Sequence, residues 1–180
     1  NVISGDLVAS TFDGVGGTFT IGSSGDLAVN GTGSSSITAF DFVFDGALNF
    51  SGTGTFSLNQ SSSSTTFGIG TTTCQTTSCD TDIDNAELNR ITVANGTLEF
   101  NGSSKIFVNS VAAANTDQIN QVTLTQSTGQ IEFEAGTGNT FTDLIVNAGN
   151  GIAVNDDVTT TGNMAMDGDS DNATSGAIAF

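Results

Sequence analysis

The feature that most narrows the fold is a short phrase that keeps returning: a glycine or polar residue, then apolar–x–apolar. It reads GTFTI at 17–21, GDLAV at 25–29, GALNF at 46–50 and GTFSL at 54–58. It goes on as TFGIG (66–70), NRITV (89–93), GTLEF (96–100), SKIFV (104–108), QVTLT (121–125) and GQIEF (129–133), then TDLIV (142–146), GNMAM (162–166) and GAIAF (176–180). Such brief alternation is the period of a short strand buried on one face. Helical spacing is nearly absent. NSVAAANTDQIN (109–120) is the one stretch offering a short helix, and it reads better as a loop.

Spacing separates the all-β alternatives. Ile131 to Ile152 is 21 residues, Leu144 to Met164 is 20, Leu27 to Leu48 is 21 and Leu48 to Phe67 is 19. A constant period near 20 is what each coil of a β-solenoid requires: a few short strands joined by tight bends, each lying over its predecessor. The reading is therefore an all-β parallel β-helix of about eight or nine coils. It forms a single domain over 1–180, or a segment of a longer solenoid. Gly and Asn supply bends that need positive φ. The lack of Pro suits a chain whose inner N–H groups must all pair. The competing fold is an antiparallel β-sandwich of pilin type. Asn-Gly pairs in VNGT (29–32), ANGT (94–97) and FNGS (100–103) are hairpin signals, and the opening strand would then complete a neighbour's sheet by donor-strand exchange.

Charge excludes several partners. Nineteen Asp and Glu face only Arg90 and Lys105, a net charge of −17. Nucleic acid and anionic membrane surfaces need clustered Lys and Arg, so neither is expected as a partner. No apolar run is long enough for a membrane helix, and no export signal stands at Asn1, so no membrane insertion is expected. The two cysteines lie in CQTTSC. A local Cys74–Cys79 disulfide is the first reading, and two free thiols the other. Zinc would need further ligands, and a thiol catalyst would need the His this chain lacks. A disulfide implies an oxidising compartment.

Two stretches repeat an acidic phrase, D-x-D-x-D-N-A, at Asp80, Asp82, Asp84 and again at Asp167, Asp169, Asp171, 87 residues apart. In each an Ile follows eleven positions after the first Asp, so the loops are expected at equivalent corners four coils apart. Alternating carboxylates are hard oxygen ligands that suit Ca²⁺, like the first half of an EF-hand loop. Neither is an EF-hand, since Asn85 and Asn172 replace the Gly and Ile91 and Ile178 replace the final Glu. Glu87, Asn85, Asn172 or backbone carbonyls would have to complete the shell. The other reading is a solvated turn with Asx-type hydrogen bonds.

The stretch 136–180, GTGNTFTDLIVNAGNGIAVNDDVTTTGNMAMDGDSDNATSGAIAF, resembles repeats of filamentous-haemagglutinin-like and autotransporter-type bacterial surface proteins. The resemblance rests on N-T-F, a short strand, a Gly turn, V-T, T-G-N with a strand, then the acidic loop and G-x-I. It implies a right-handed parallel β-helix, exported and displayed at the cell surface for adhesion or as a fibre. It carries over no catalytic residues, and TTTCQTTSC (71–79) departs from it as an insertion-like loop.

Among enzymes, polysaccharide hydrolases and lyases use carboxylate pairs on a β-helix face. Asp156–Asp157 and Asp41/Asp45 are the pairs on offer. Neighbours on a strand point to opposite faces, and Trp, Tyr and spare bases are lacking, so no enzyme and no catalytic residue is expected. Thr arrays for ice binding fail because TTT occurs only at 71–73 and 159–161. Sequons stand at Asn30, Asn49, Asn59, Asn95, Asn101 and Asn172. No capping segment is evident at either extremity, which leaves open β edges. The expected function is a structural subunit of an extracellular filament or cell-surface fibre, with copies of itself as partner. The alternative is a surface adhesin that binds a glycan or receptor without self-assembly.

Overall fold

The computed structural model describes residues 2–10, 16–71, 74, 78–173 and 176–180. The chain is all-β, with 52% of the described residues in strands. In chain order the first ten strands are β1 (Val2–Ile3), β2 (Val8–Ser10), β3 (Thr18–Ile21), β4 (Leu27–Val29), β5 (Ser35–Ala39), β6 (Asp41–Phe44), β7 (Leu48–Phe50), β8 (Thr55–Gln60), β9 (Thr66–Gly70) and β10 (Thr81–Ile83). The short helix α1 (Asn85–Leu88) follows. Then come β11 (Ile91–Asn101), β12 (Lys105–Asn109), a 3₁₀ turn at Ala113–Asn115, β13 (Ile119–Gln126), β14 (Gln130–Phe133), β15 (Asn139–Phe141), β16 (Asp143–Ala148), β17 (Ile152–Val154), β18 (Val158–Thr160), β19 (Met164–Asp167) and β20 (Ile178–Ala179).

Every ladder among the described strands is parallel. A ten-stranded sheet follows the path β1-β4-β7-β11-β13-β16-β19, with β2, β5 and β8 alongside. A six-stranded sheet runs β10-β9-β12-β14-β17-β20, and two pairs, β15-β18 and β3-β6, complete the set. The spacing seen in the sequence is the register itself. Leu27 lies opposite Leu48, Leu144 opposite Met164 and Ile131 opposite Ile152.

Neighbouring strands lie about 4.8 Å apart, so partners one repeat apart stack side chain on side chain. One buried row runs Ile37, Leu58, Phe100, Leu124, Val146, Met166. A second runs Phe67, Ile106, Ile131, Ile152 on the six-stranded sheet and ends at the exposed Ile178. These rows face one another in a single apolar cluster. Phe67 stacks on Phe42 at 6.1 Å and meets Phe100 edge-on at 5.7 Å. Burying a Leu, Ile or Phe contributes about 1.5–3 kcal/mol, so each strand, though only a few residues long, is held by its inward side chains. The outward rows are polar and bond along the stack: Asn101 Nδ2 donates to Asn59 Oδ1 at 2.7 Å, and Ser57 Oγ to Glu99 Oε2 at 2.8 Å.

The antiparallel sandwich is not what forms. Asn101-Gly102 does not reverse the chain; it turns it from β11 in the ten-stranded sheet to β12 in the six-stranded one. Asn95-Gly96 lies inside β11, where the register shifts between Val93 and Thr97. The glycines of the bends stack instead. A Cβ on Gly52 would stand 2.0 Å from the Gly31 carbonyl oxygen, and one on Gly46 would stand 1.8 Å from that of Gly25.

The repeat breaks once. Leu48 pairs with Ile91, 43 residues on, and not with Phe67. The residues between form β8, β9, β10 and α1, which is two sequence periods for one step of the main sheet. Among the described residues its longest path therefore crosses seven strands, against the eight or nine coils expected.

Candidate functional site

The irregular step carries the disulfide and the first acidic loop. Cys74 and Cys79 are bonded, with Cα atoms 5.2 Å apart. They close the connection from β9 to β10, which then returns to pair parallel with β9 only 14 residues away, Thr81 opposite Phe67. Asp80 fastens the same junction: its Oδ2 accepts from Thr66 N at 2.8 Å and Thr66 Oγ1 at 2.9 Å. Asp84 is the N-cap of α1. Its carboxylate accepts from Glu87 N at 2.8 Å, while Glu87 Oε2 accepts from Asp84 N at 3.0 Å, a capping box.

So the first three aspartates do not converge. Asp80 and Asp84 are occupied by N–H groups, and Asp82 lies between them on β10. What gathers around Asp82 is a different set: Asp41 from β6, Asp84, and Glu87 from α1. Burial pushes the Asp41 carboxyl above its usual range, opposed by the adjoining Phe42 N–H, reinforced by the Asp82 charge and opposed again by the Asp82 N–H. Burial also raises Asp82, with the Asp84 charge adding to it. Glu87 is raised by burial, offset by the Phe44 and Asp84 N–H groups, and pushed further by the charges of Asp84 and Asp82. Asp41 Oδ1 is buried without a hydrogen-bond partner.

The second acidic loop is not equivalent to the first. Asp167 ends β19 in the ten-stranded sheet, and the chain then passes to β20 in the six-stranded sheet. The first loop makes the opposite passage, from β10 to β11. Asp167 Oδ1 accepts from Asp169 N and Asp171 Oδ1 from Ala173 N, both at 3.0 Å. Those are Asx-type turns, the second reading given above. Among the described residues no three acidic or cysteine side chains are grouped as a metal ion would need.

The remaining candidates are structural in geometry. Asp156 is held below the usual carboxylate range by the Gly138 N–H, bonded at 2.7 Å, and then by the Asp157 N–H. Asp45 is exposed and apart from Asp41's buried environment. Lys105 Nζ meets Glu132 Oε2 at 2.5 Å, lies 4.5 Å over the Phe107 ring, and Glu132 Oε1 accepts from Asn155 Nδ2 at 2.9 Å. Arg90 Nη1 donates to the Phe44 carbonyl at 2.7 Å. Of the sequons, Asn59 and Asn101 are bonded to one another, and Asn30, Asn49, Asn95 and Asn172 are exposed. The TTT stretch at 71–73 lies mostly outside the described residues.

Sequence reasoning missed Asp41 as a partner of Asp82; it offered Glu87 beside Asp82 only as a ligand completing a metal shell. The Asp84–Glu87 spacing is a legible capping signal, D-x-x-E. The Asp41–Asp82 approach is not, because it depends on β10 settling beside β6. No helix among the described residues is long and apolar enough to cross a membrane. No protein-family model, curated protein or solved structure matches the chain.

Proposed function

We propose that the chain is a β-solenoid serving as a structural subunit of an extracellular filament or cell-surface fibre, with copies of itself as partner. The observation that carries this reading is the register: strands one repeat apart pair in parallel and in line, so the stack grows by adding the same ladder again. Such a stack presents unpaired strand edges along its axis, at β1 and β2 on one side and β19 and β20 on the other. The large apolar side chains left exposed among the described residues are Val2, Val8, Met164, Ile178 and Phe180, all on or beside those outermost strands. A cleft of about 540 Å³ beside β19 is lined by the apolar Val154, Val158, Met164, Met166 and Phe180, together with Asn155, Asp156 and Asp157. These features suit end-to-end pairing better than catalysis: of the two carboxylates in the cleft, Asp156 is taken up by the Gly138 and Asp157 N–H groups and held below the usual range, which does not suit a general acid. The disulfide suits an oxidising, extracellular setting.

Electron microscopy and light scattering of the purified protein test the reading. Fibres with one molecule per axial repeat, lengthening with concentration, are expected. Monodisperse monomers at high concentration and physiological ionic strength would overturn it.

A further inference from the structure

β6 and β10 lie side by side, yet no backbone ladder joins them: β6 pairs only with β3 and β10 only with β9. Side chains bridge the gap. Thr81 Oγ1 donates to the Phe40 carbonyl, Phe44 N donates to Glu87 Oε1 at 2.9 Å, and Arg90 Nη1 donates to the Phe44 carbonyl. Elsewhere the same face is sealed by continuous main-chain pairing, as in β12-β14-β17. This seam also collects like charge. Across it the Asp41 carboxylate accepts from the Asp82 N–H while facing the Asp82 side-chain charge, and Asp84 and Glu87 stand on the β10 side. Of the other charged groups nearby, Arg90 is bonded to the Phe44 carbonyl, Asp80 is bonded to Thr66, and Asp45 is exposed. Asp82 is the common member, since its charge acts on both Asp41 and Glu87.

We propose that the β6–β10 seam is a salt-operated clasp: repulsion centred on Asp82 loosens it at low ionic strength, and screening closes it. The Debye length falls from about 30 Å at 0.01 M to about 3 Å at 1 M, so salt screens charges on neighbouring strands only toward the upper end of that range. Loosening uncovers the Phe40 and Phe44 edge of β6 while the ten-stranded sheet, continuous through β5-β8-β11, keeps the molecule whole. The clasp is independent of the fibre reading and operates in a monomer.

Hydrogen exchange of the whole chain, with EDTA present, tests it at about 0.01 M and about 1 M NaCl. Amides of 41–46 and 81–88 should exchange roughly threefold or more slowly at high salt, and those of β13 and β16 should change much less. Asp82→Asn should confer the high-salt protection at low salt and abolish most of the salt response. Asp157→Asn, an equal charge change at an exposed site between β17 and β18, several strands from the seam, should leave the response intact. An even salt response over all sheets, or an Asp157→Asn effect matching Asp82→Asn, would overturn the proposal in favour of general repulsion across a chain of net charge −17.

Discussion

Gly46→Ala tests the stacking of the bends. Its φ lies outside the left-handed region, so alanine meets no backbone strain there. What it meets is the repeat before it. The added Cβ would stand 1.8 Å from the Gly25 carbonyl oxygen, 2.6 Å from the Gly22 carbonyl oxygen and 2.9 Å from Ile21 Cγ2. The two nearest atoms are main chain and cannot swing aside. Forcing a methyl group into filled space costs about 1–3 kcal/mol, and main-chain neighbours put this case at the upper end. The stiffer unfolded chain returns about 0.4–1 kcal/mol. The net loss is therefore about 2 kcal/mol, or about 4–8 °C in melting temperature for a chain of this length. Gly22→Ala is the control, because its Cβ meets nothing within 4 Å. It should melt at or slightly above the parent, by about 0.4–1 kcal/mol. Melting followed by circular dichroism and calorimetry reads both. Equal melting temperatures for the two variants would refute the stacked-bend geometry.

Asp84→Asn keeps a capping oxygen and removes a charge beside Asp82, so it should be at least as stable as the parent at pH 7, whereas Asp84→Ala should fall about 1 kcal/mol below it in urea unfolding. Asp41, Asp82 and Glu87 all have raised folded-state pKa values, so their contribution is fully present below the unfolded carboxylate range and is lost as pH rises through the raised values. Melting temperature should accordingly be higher near pH 5 than near pH 8, with Asp82→Asn flattening the difference; an unchanged slope in that variant would count against the cluster. The Cys74–Cys79 bond closes a small loop, so replacing both residues by Ala should cost about 2 kcal/mol at most and leave the far-ultraviolet spectrum unchanged. Leu124→Ala, at a fully buried position between Phe100 and Val146, should cost about 2–5 kcal/mol, read by the same unfolding assay.

Much of the architecture was legible because its period is carried by apolar residues. Leu27–Leu48, Leu144–Met164 and Ile131–Ile152 are spaced in sequence as they pair in space. The failure at Leu48–Phe67 has a physical cause. TFGIG has the inward pattern of any other strand, but the pattern does not say which sheet it joins, and here it joins the six-stranded one. The Asn-Gly pairs misled for a related reason: these residues permit a bend, and the bend's direction is set by where the next apolar row can bury. The acidic phrase shows the limit most clearly. Its two copies have the same letters but opposite connections, because a run of Asp in a loop records a need for turn and cap oxygens and not a position in the stack. Asp80, Asp84, Asp167 and Asp171 meet that need. Asp82 has Glu87 near it through the local capping box, but acquires Asp41 only through tertiary placement.

The central claim is that residues one repeat apart lie side by side in parallel. Methyl-labelled nuclear Overhauser spectroscopy tests it most directly. The account predicts cross-peaks linking Leu98, Val122, Leu144 and Met164 in a single file, with matching amide contacts in parallel register. Cross-peaks that join β11 to β12 as an antiparallel pair across Asn101–Ser104, with none between Leu144 and Met164, would contradict it.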